Sequence, residues 1–228
     1  MGLGLMLISV LFTIIGVILN SRLRSKFRKY AQIPLNNGMS GAEVARTMLR
    51  HYGITDVQVI HVPGQLTDHY NPLNKTVNLS DEVFESSSVA AAAVAAHECG
   101  HAVQHAEAYA FLKLRSAIVP VVNFAAGIQQ YIFLMGMVGA YLFNNIWVMM
   151  IVLVVFGITA LFSLITLPVE FDASRRALAW LDTSGFARGQ EYAGAKDALT
   201  WAAMTYVAAA LAALVQLLYI ASMFLGRR

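Results

Sequence analysis

His97 and His101 stand four residues apart in the run His97-Glu98-Cys99-Gly100-His101, with an acid beside the first imidazole. Each residue of an α-helix advances by about 100°, so side chains at i and i+4 leave the same face. Two imidazoles placed this way reach one metal ion at about 2.0–2.1 Å, with Glu98 beside the position the ion keeps open. This H-E-x-x-H pattern supplies two ligands and a general base for metal-assisted hydrolysis, and zinc is the ion it predicts. Ser86-Ser87-Ser88 offers an N-cap for the helix, and the alanine-rich run Val89 to Ala96 favours it strongly. Cys99, the only cysteine, lies about 200° around the helix from His97 and is expected to be a small buried filler. A single cysteine also excludes an intrachain disulfide, as suits a cytoplasmic site.

A catalytic zinc usually takes three protein ligands, so another must come from elsewhere in the chain. His105 follows His101 by four residues, but at about 1.5 Å per residue it lies about 12 Å from His97 along the axis. No glycine between His101 and His105 would break the helix to bring it back. The better candidate is Glu170, in Leu167-Pro168-Val169-Glu170-Phe171-Asp172-Ala173-Ser174-Arg175-Arg176. Pro168 suits either the first turn of a new helix or a kink.

The elements that must position these residues include membrane spans. Apolar residues make up 58% of the 228-residue chain and charged residues 13%, against about 45–50% and about 25% in a soluble domain. Four blocks are long enough to cross a bilayer, which takes about 17–25 apolar residues. They are Leu3–Leu19, about Pro120–Phe143, Ile146 to about Leu167, and about Met204–Leu225. The first is followed by Arg22, Arg24, Lys26, Arg28 and Lys29, the reverse of a cleaved signal peptide, and reads as an anchor. The second and third form a hairpin with Asn144-Asn145 at its tip, which returns Glu170 to the side that holds His97 and His101. Gln129 and Gln130, costly in lipid, are expected to face other helices. Gly127, Gly136, Gly139 and Gly157 could allow close helix packing.

Basic residues set the orientation. Beside the five after the first span, Lys113 and Arg115 precede the second, and Arg175, Arg176, Arg188 and Lys196 lie between the third and fourth. Only Arg227 and Arg228 fall on the other side. The positive-inside rule therefore predicts a multi-pass protein of the cytoplasmic membrane with its active site facing the cytoplasm. The net charge of +3 reflects this topology and does not point to nucleic acid.

The chain thus divides into an anchor (1–20), a cytoplasmic domain with the motif helix (21–115), a transmembrane hairpin (116–167), a cytoplasmic segment with the third ligand (168–203), and a fourth span with the C-terminus (204–228). Within the first cytoplasmic part, Ser40 and Glu43 form a capping box. They start a helix that presents Val44, Ala45, Met48 and Leu49 and ends at Gly53. Val57–Val62 alternates like a half-buried strand, Asn71-Pro72-Leu73-Asn74 is a turn, and Thr76–Ser80 is a second strand. The fold class expected is a mostly α integral membrane protein with about four transmembrane helices and a small α+β, zincin-like catalytic domain.

A four-span chain with H-E-x-G-H before a membrane hairpin and P-V-E-F-D-A-S after it resembles the YugP family of zinc-dependent membrane peptidases. The likeness covers most of the chain, including Asp68-His69-Tyr70-Asn71-Pro72, Val77-Asn78-Leu79-Ser80, Val94-Ala95-Ala96-His97-Glu98 and Thr205-Tyr206-Val207-Ala208-Ala209. A more distant similarity is to HtpX-type peptidases, whose later helix carries E-x-x-x-D, with the aspartate supporting a histidine ligand. The resemblance implies a ligand role for Glu170. Its buttressing aspartate falls on Ser174 here, with Asp172 two positions earlier, so that role does not transfer directly.

These residues imply metal-assisted hydrolysis, with zinc on His97, His101 and Glu170 and with Glu98 as general base. The reading is a zinc endopeptidase, gluzincin-like in its ligands, cutting membrane-associated or misfolded proteins near the cytoplasmic face. Its partners would be a peptide or membrane-protein substrate and the bilayer. The Thr76–Ser80 strand fits either an exposed edge that pairs with substrate or an internal strand. His69, Tyr70, Arg175, Arg176 and Tyr192 are each able to stabilise an oxyanion. Two alternatives are an inactive scaffold, which would not need Glu98, and a zinc hydrolase of a non-peptide amide.

Overall fold

The computed structural model describes residues 2–138 and 145–226. Asn144, Gly139, Arg227 and Arg228 lie outside the described residues. The chain folds as α1 (Gly2–Ala31), α2 (Gly41–His51), β1 (Gln58–Val62), β2 (His69–Asn71), β3 (Thr76–Ser80), α3 (Asp81–Phe84), α4 (Val89–Ala106), α5 (Ala110–Val138), α6 (Ile146–Thr183) and α7 (Gln190–Leu225). It is mostly helical, and α1, α5, α6 and α7 contain segments long and apolar enough to cross a membrane.

Two compact units can be described. One comprises Met1–Leu19, Leu114–Leu167 and Thr205–Arg228. Its helices leave large apolar side chains exposed, among them Leu3, Leu7, Leu11, Trp147 and Val154, as lipid-facing surfaces do. Gln129 Oε1 accepts from Thr159 Oγ1 at 3.2 Å, so this glutamine does face a neighbouring helix. Gln130 is exposed instead, about 100° round the helix from Gln129. Gly127 has no neighbour within 4 Å of an added Cβ, and Gly157 meets only Leu217 at 4.0 Å, so neither supports a tight helix crossing.

The other unit comprises Asn20–Lys113 and Pro168–Met204. Its core surrounds α4, which buries nearly every residue from Val89 to Gln104. Alanine-rich packing makes this possible: small side chains let α2, α3 and β3 approach from several sides, and Val44, Met48, Val77, Leu79, Trp180 and Leu199 fill the space around it. Burying each of the larger side chains contributes about 1.5–3 kcal/mol. Ser88 caps α4, its side chain accepting from Ala91 N at 3.2 Å. α2 begins with the capping box, Ser40 N donating to Glu43 Oε2 at 2.8 Å and Glu43 N to Ser40 Oγ at 3.3 Å. It is followed by Gly53 at φ +68°, the left-handed conformation that glycine adopts without strain.

The sheet has the order β1-β3-β2, with β1 parallel and β2 antiparallel to β3. Thr76–Ser80 is therefore the central strand, and the exposed-edge option for it is wrong. A three-residue strand, His69–Asn71, occupies the edge; it is too short to show a periodic pattern in sequence. Asn71 Oδ1 closes the turn that follows by accepting from Leu73 N at 2.9 Å. Two helices run through prolines, which settles the two options left open at Pro168. α5 begins at Ala110, so Pro120 lies inside it, and α6 continues through Pro168 without a new start. Proline removes one backbone donor, and the packing of the apolar helix outweighs that local loss.

Candidate metal centre

His97, His101 and Glu170 come together in the second unit, with a ligand atom of each within 4.8 Å of the others. His97 Nε2 lies 3.3 Å and His101 Nε2 3.6 Å from Glu170 Oε2. Two ligands at about 2.0–2.1 Å from a tetrahedral ion lie about 3.3 Å apart, so the observed spacing suits one ion between them. The donor set of two imidazoles and a carboxylate is chemically right for zinc. His101 and Glu170 are buried and His97 half-buried, so few water molecules compete for these atoms. Burial acts to lower the pKa of His101, but the Glu170 carboxylate outweighs it and holds the imidazole above its ordinary value.

The approach of α6 to α4 is set by Gly100. A Cβ at this position would fall 2.6 Å from the Ala173 carbonyl oxygen, so only glycine lets the two backbones come this close. Glu170 lies one turn before Ala173 and is carried to the motif helix by the same contact. The gap of 69 residues between Glu170 and His101 is thus closed within one unit.

Glu98 is buried, and its Oε2 accepts the backbone N–H of Tyr70 at 2.9 Å. The edge strand β2 therefore holds the carboxylate. Before that strand, Asp68 receives Ser80 N at 2.7 Å and Ser80 Oγ at 3.0 Å, which fixes the entry to β2. The Tyr70 hydroxyl is turned elsewhere. Burial, with the charge of Asp56, pushes its pKa up to about 12, and this protonated phenol lies 2.7 Å from His105 Nδ1. His105 is held there and does not join the three-residue cluster.

Around these three side chains are groups that sequence reasoning placed only in part. Ser174 Oγ lies 3.1 Å from His97 Nδ1, so the residue in the buttressing position does contact a histidine. Asp172 reaches neither histidine. It is buried, pairs with Arg175, and accepts Arg176 Nε at 2.5 Å and Gln104 Nε2 at 2.9 Å. Gln104, fully buried, completes the set with its Oε1 3.1 Å from His101 Nδ1. Its signal was present: it lies three residues after His101 on the same face, a polar side chain in an apolar helix.

Three of the oxyanion candidates are committed to other groups: Tyr70 to His105, Arg175 to Asp172, and Arg176 to Asp172 and Glu107. His69 is exposed, with Nδ1 2.8 Å from Thr67 O. Tyr192 lines a cavity of about 350 Å³ with Ser174, Arg175 and Lys196.

Comparison with known proteins shows the family to which the chain belongs. The sequence model of a family described as "Putative neutral zinc metallopeptidase" matches residues 5–225. The chain is 44% identical over 207 residues to the "Putative membrane protease YugP" of Bacillus subtilis (strain 168), covering 91% of this chain and 90% of that protein. No solved structure matches the chain significantly.

Proposed function

Since the chain belongs to this family of neutral zinc metallopeptidases, we propose that it is a membrane-embedded zinc endopeptidase whose metal is held by His97, His101 and Glu170. The observation that carries the reading is the convergence of these three side chains beside a carboxylate, Glu98, that the Tyr70 N–H holds in place. Zinc bound there would supply a Lewis acid that polarises the scissile carbonyl and lowers the pKa of water to about 7.

Glu98 takes the proton of the attacking water and passes it to the leaving nitrogen. A glutamate suits both steps, since it accepts when ionised and donates once protonated. The Tyr70 N–H fixes the carboxylate through one oxygen, so its reorientation during transfer is small. β2 is an edge strand whose Tyr70 N–H reaches Glu98, and an extended peptide is placed beside it. This gives the domain a zincin-like, gluzincin-type site. The distribution of basic residues orients it toward the cytoplasm, where membrane-associated or misfolded proteins would be its substrates.

Glu98→Gln tests the reading in detergent-solubilised protein with a peptide panel and metal analysis. Zinc content and fold should persist, while hydrolysis falls by about 10²–10⁴-fold. Retention of more than about a tenth of wild-type turnover would show that Glu98 is not the general base.

A further inference from the structure

Gln104 has no role in the reaction as derived so far, yet its amide is completely buried and all its hydrogen-bonding directions toward protein are taken. The nitrogen donates to the Val169 carbonyl at 2.8 Å and to Asp172 Oδ2 at 2.9 Å. Both partners are pure acceptors, so the amide cannot be reversed without setting its oxygen against two others. Only the amide oxygen remains for His101 Nδ1, at 3.1 Å. An acceptor at that distance requires a hydrogen on Nδ1. In the neutral ring that a metal binds, Nε2, the atom that faces Glu170, then carries the lone pair.

We propose that Gln104 is a positioning residue that fixes the metal-binding tautomer of His101, and that Asp172 acts on the metal centre through Gln104 by keeping the amide the right way round. This rests on the reading of His101 as a ligand. Asp172 is itself held by two arginines: Arg176 Nε donates at 2.5 Å to the same Oδ2, Arg175 pairs with Oδ1, and Arg176 Nη1 pairs with Glu107 at 2.6 Å. The chain of contacts Glu107–Arg176–Asp172–Gln104–His101 joins α4 to α6 twice, through charge at one end and through the ligand at the other. His97 is supported differently. Its Nδ1 faces the Ser174 hydroxyl, which can donate or accept and so imposes no tautomer.

The test is zinc affinity, measured by chelator competition on purified full-length protein. Gln104→Met removes the amide at similar volume and should weaken zinc binding by about 10–100-fold, the usual effect of losing such a support. Asp172→Asn should weaken it less, and should add nothing on top of Gln104→Met, since both act on one interaction. A merely structural role would lower the thermal midpoint of the metal-free protein and leave zinc affinity unchanged. His101→Gln is measured alongside: if it keeps zinc, the ligand reading fails and the inference fails with it. If it loses zinc while Gln104→Met binds within about twofold of wild type, the inference alone is overturned. Should Gln104→Met not fold, ¹⁵N NMR of histidine-labelled wild-type protein decides, with His101 assigned by difference against His101→Gln. A protonated Nδ1 supports the proposal, and an unprotonated Nδ1 with protonated Nε2 overturns it.

Discussion

Gly100 offers a sharp test of how the metal centre is assembled, because its effect on the ligands can be worked out in ångströms. A Cβ added there meets Ala173 O at 2.6 Å and Ala173 C and Cα at 3.1 Å. All three are backbone atoms, so no side chain can rotate away. Restoring an ordinary contact of about 3.4 Å requires α4 and α6 to separate locally by about 0.8 Å. Metal–ligand bonds tolerate about 0.2 Å, and Glu170 is carried by the helix that must move. The overpacking costs about 1–3 kcal/mol, while exchanging a helical glycine for alanine returns about 1 kcal/mol. Gly100→Ala should therefore fold, with a thermal midpoint within about 8 °C of wild type, yet bind zinc at least about tenfold more weakly. Chelator competition gives the affinity, and Gly157→Ala serves as a control, because its Cβ would meet only Leu217 at 4.0 Å. A folded Gly100→Ala protein with wild-type zinc affinity would refute the argument that this contact sets the position of Glu170.

Two further perturbations address the ligand set and the topology. Glu170→Ala is expected to lose zinc and activity, whereas His105→Ala, which removes a partner of the Tyr70 hydroxyl, should leave about one zinc per chain; the reverse pattern in metal analysis would show that the ligands are wrongly assigned. With Cys99 replaced, a cysteine probe at Asn145 should be labelled from outside intact cells and one at Ser25 should not, and the opposite result would place the catalytic unit outside.

Much of the site was legible in the sequence because its strongest signals are local. The i, i+4 histidines lie on a helix that Ser88 caps, and both the cap and the face follow from residue spacing. Glu170 was legible for a different reason: the need for a third ligand, the reach of His105 and the return of the hairpin left it as the best candidate. Tertiary contacts were harder to see. β2 is three residues long, and nothing in His69-Tyr70-Asn71 distinguishes a strand from a loop until Asn78 and Val77 are set against it. Its main-chain bond to Glu98 involves a backbone N–H, which leaves no trace in residue type. Pro168 left two options open, a new helix or a position within one, and the continuous packing of a long apolar helix decides for the second. Asp172, two positions before the buttressing site, makes its contacts with Gln104, Arg175 and Arg176. Sequence could not show that Gln104 spans the remaining distance to His101.

The two histidines of the proposed centre have unequal supports, one an amide and the other a hydroxyl. His101 is buried, and its neighbour is an amide whose two donors are already assigned. His97 is more open, and a hydroxyl with a rotating proton serves it without fixing either tautomer. Ser174 in place of an aspartate changes the electrostatics as well. A carboxylate there would add a negative charge beside His97, which already faces Glu170, whereas serine adds none. The carboxylate absent from position 174 is found at Asp172, where Arg175 and Arg176 balance it and the buried amide passes on its orienting effect without its charge. The centre keeps two imidazoles and one carboxylate facing a common point, a charge that a single divalent ion would more than balance, leaving net positive charge to act on a carbonyl oxygen.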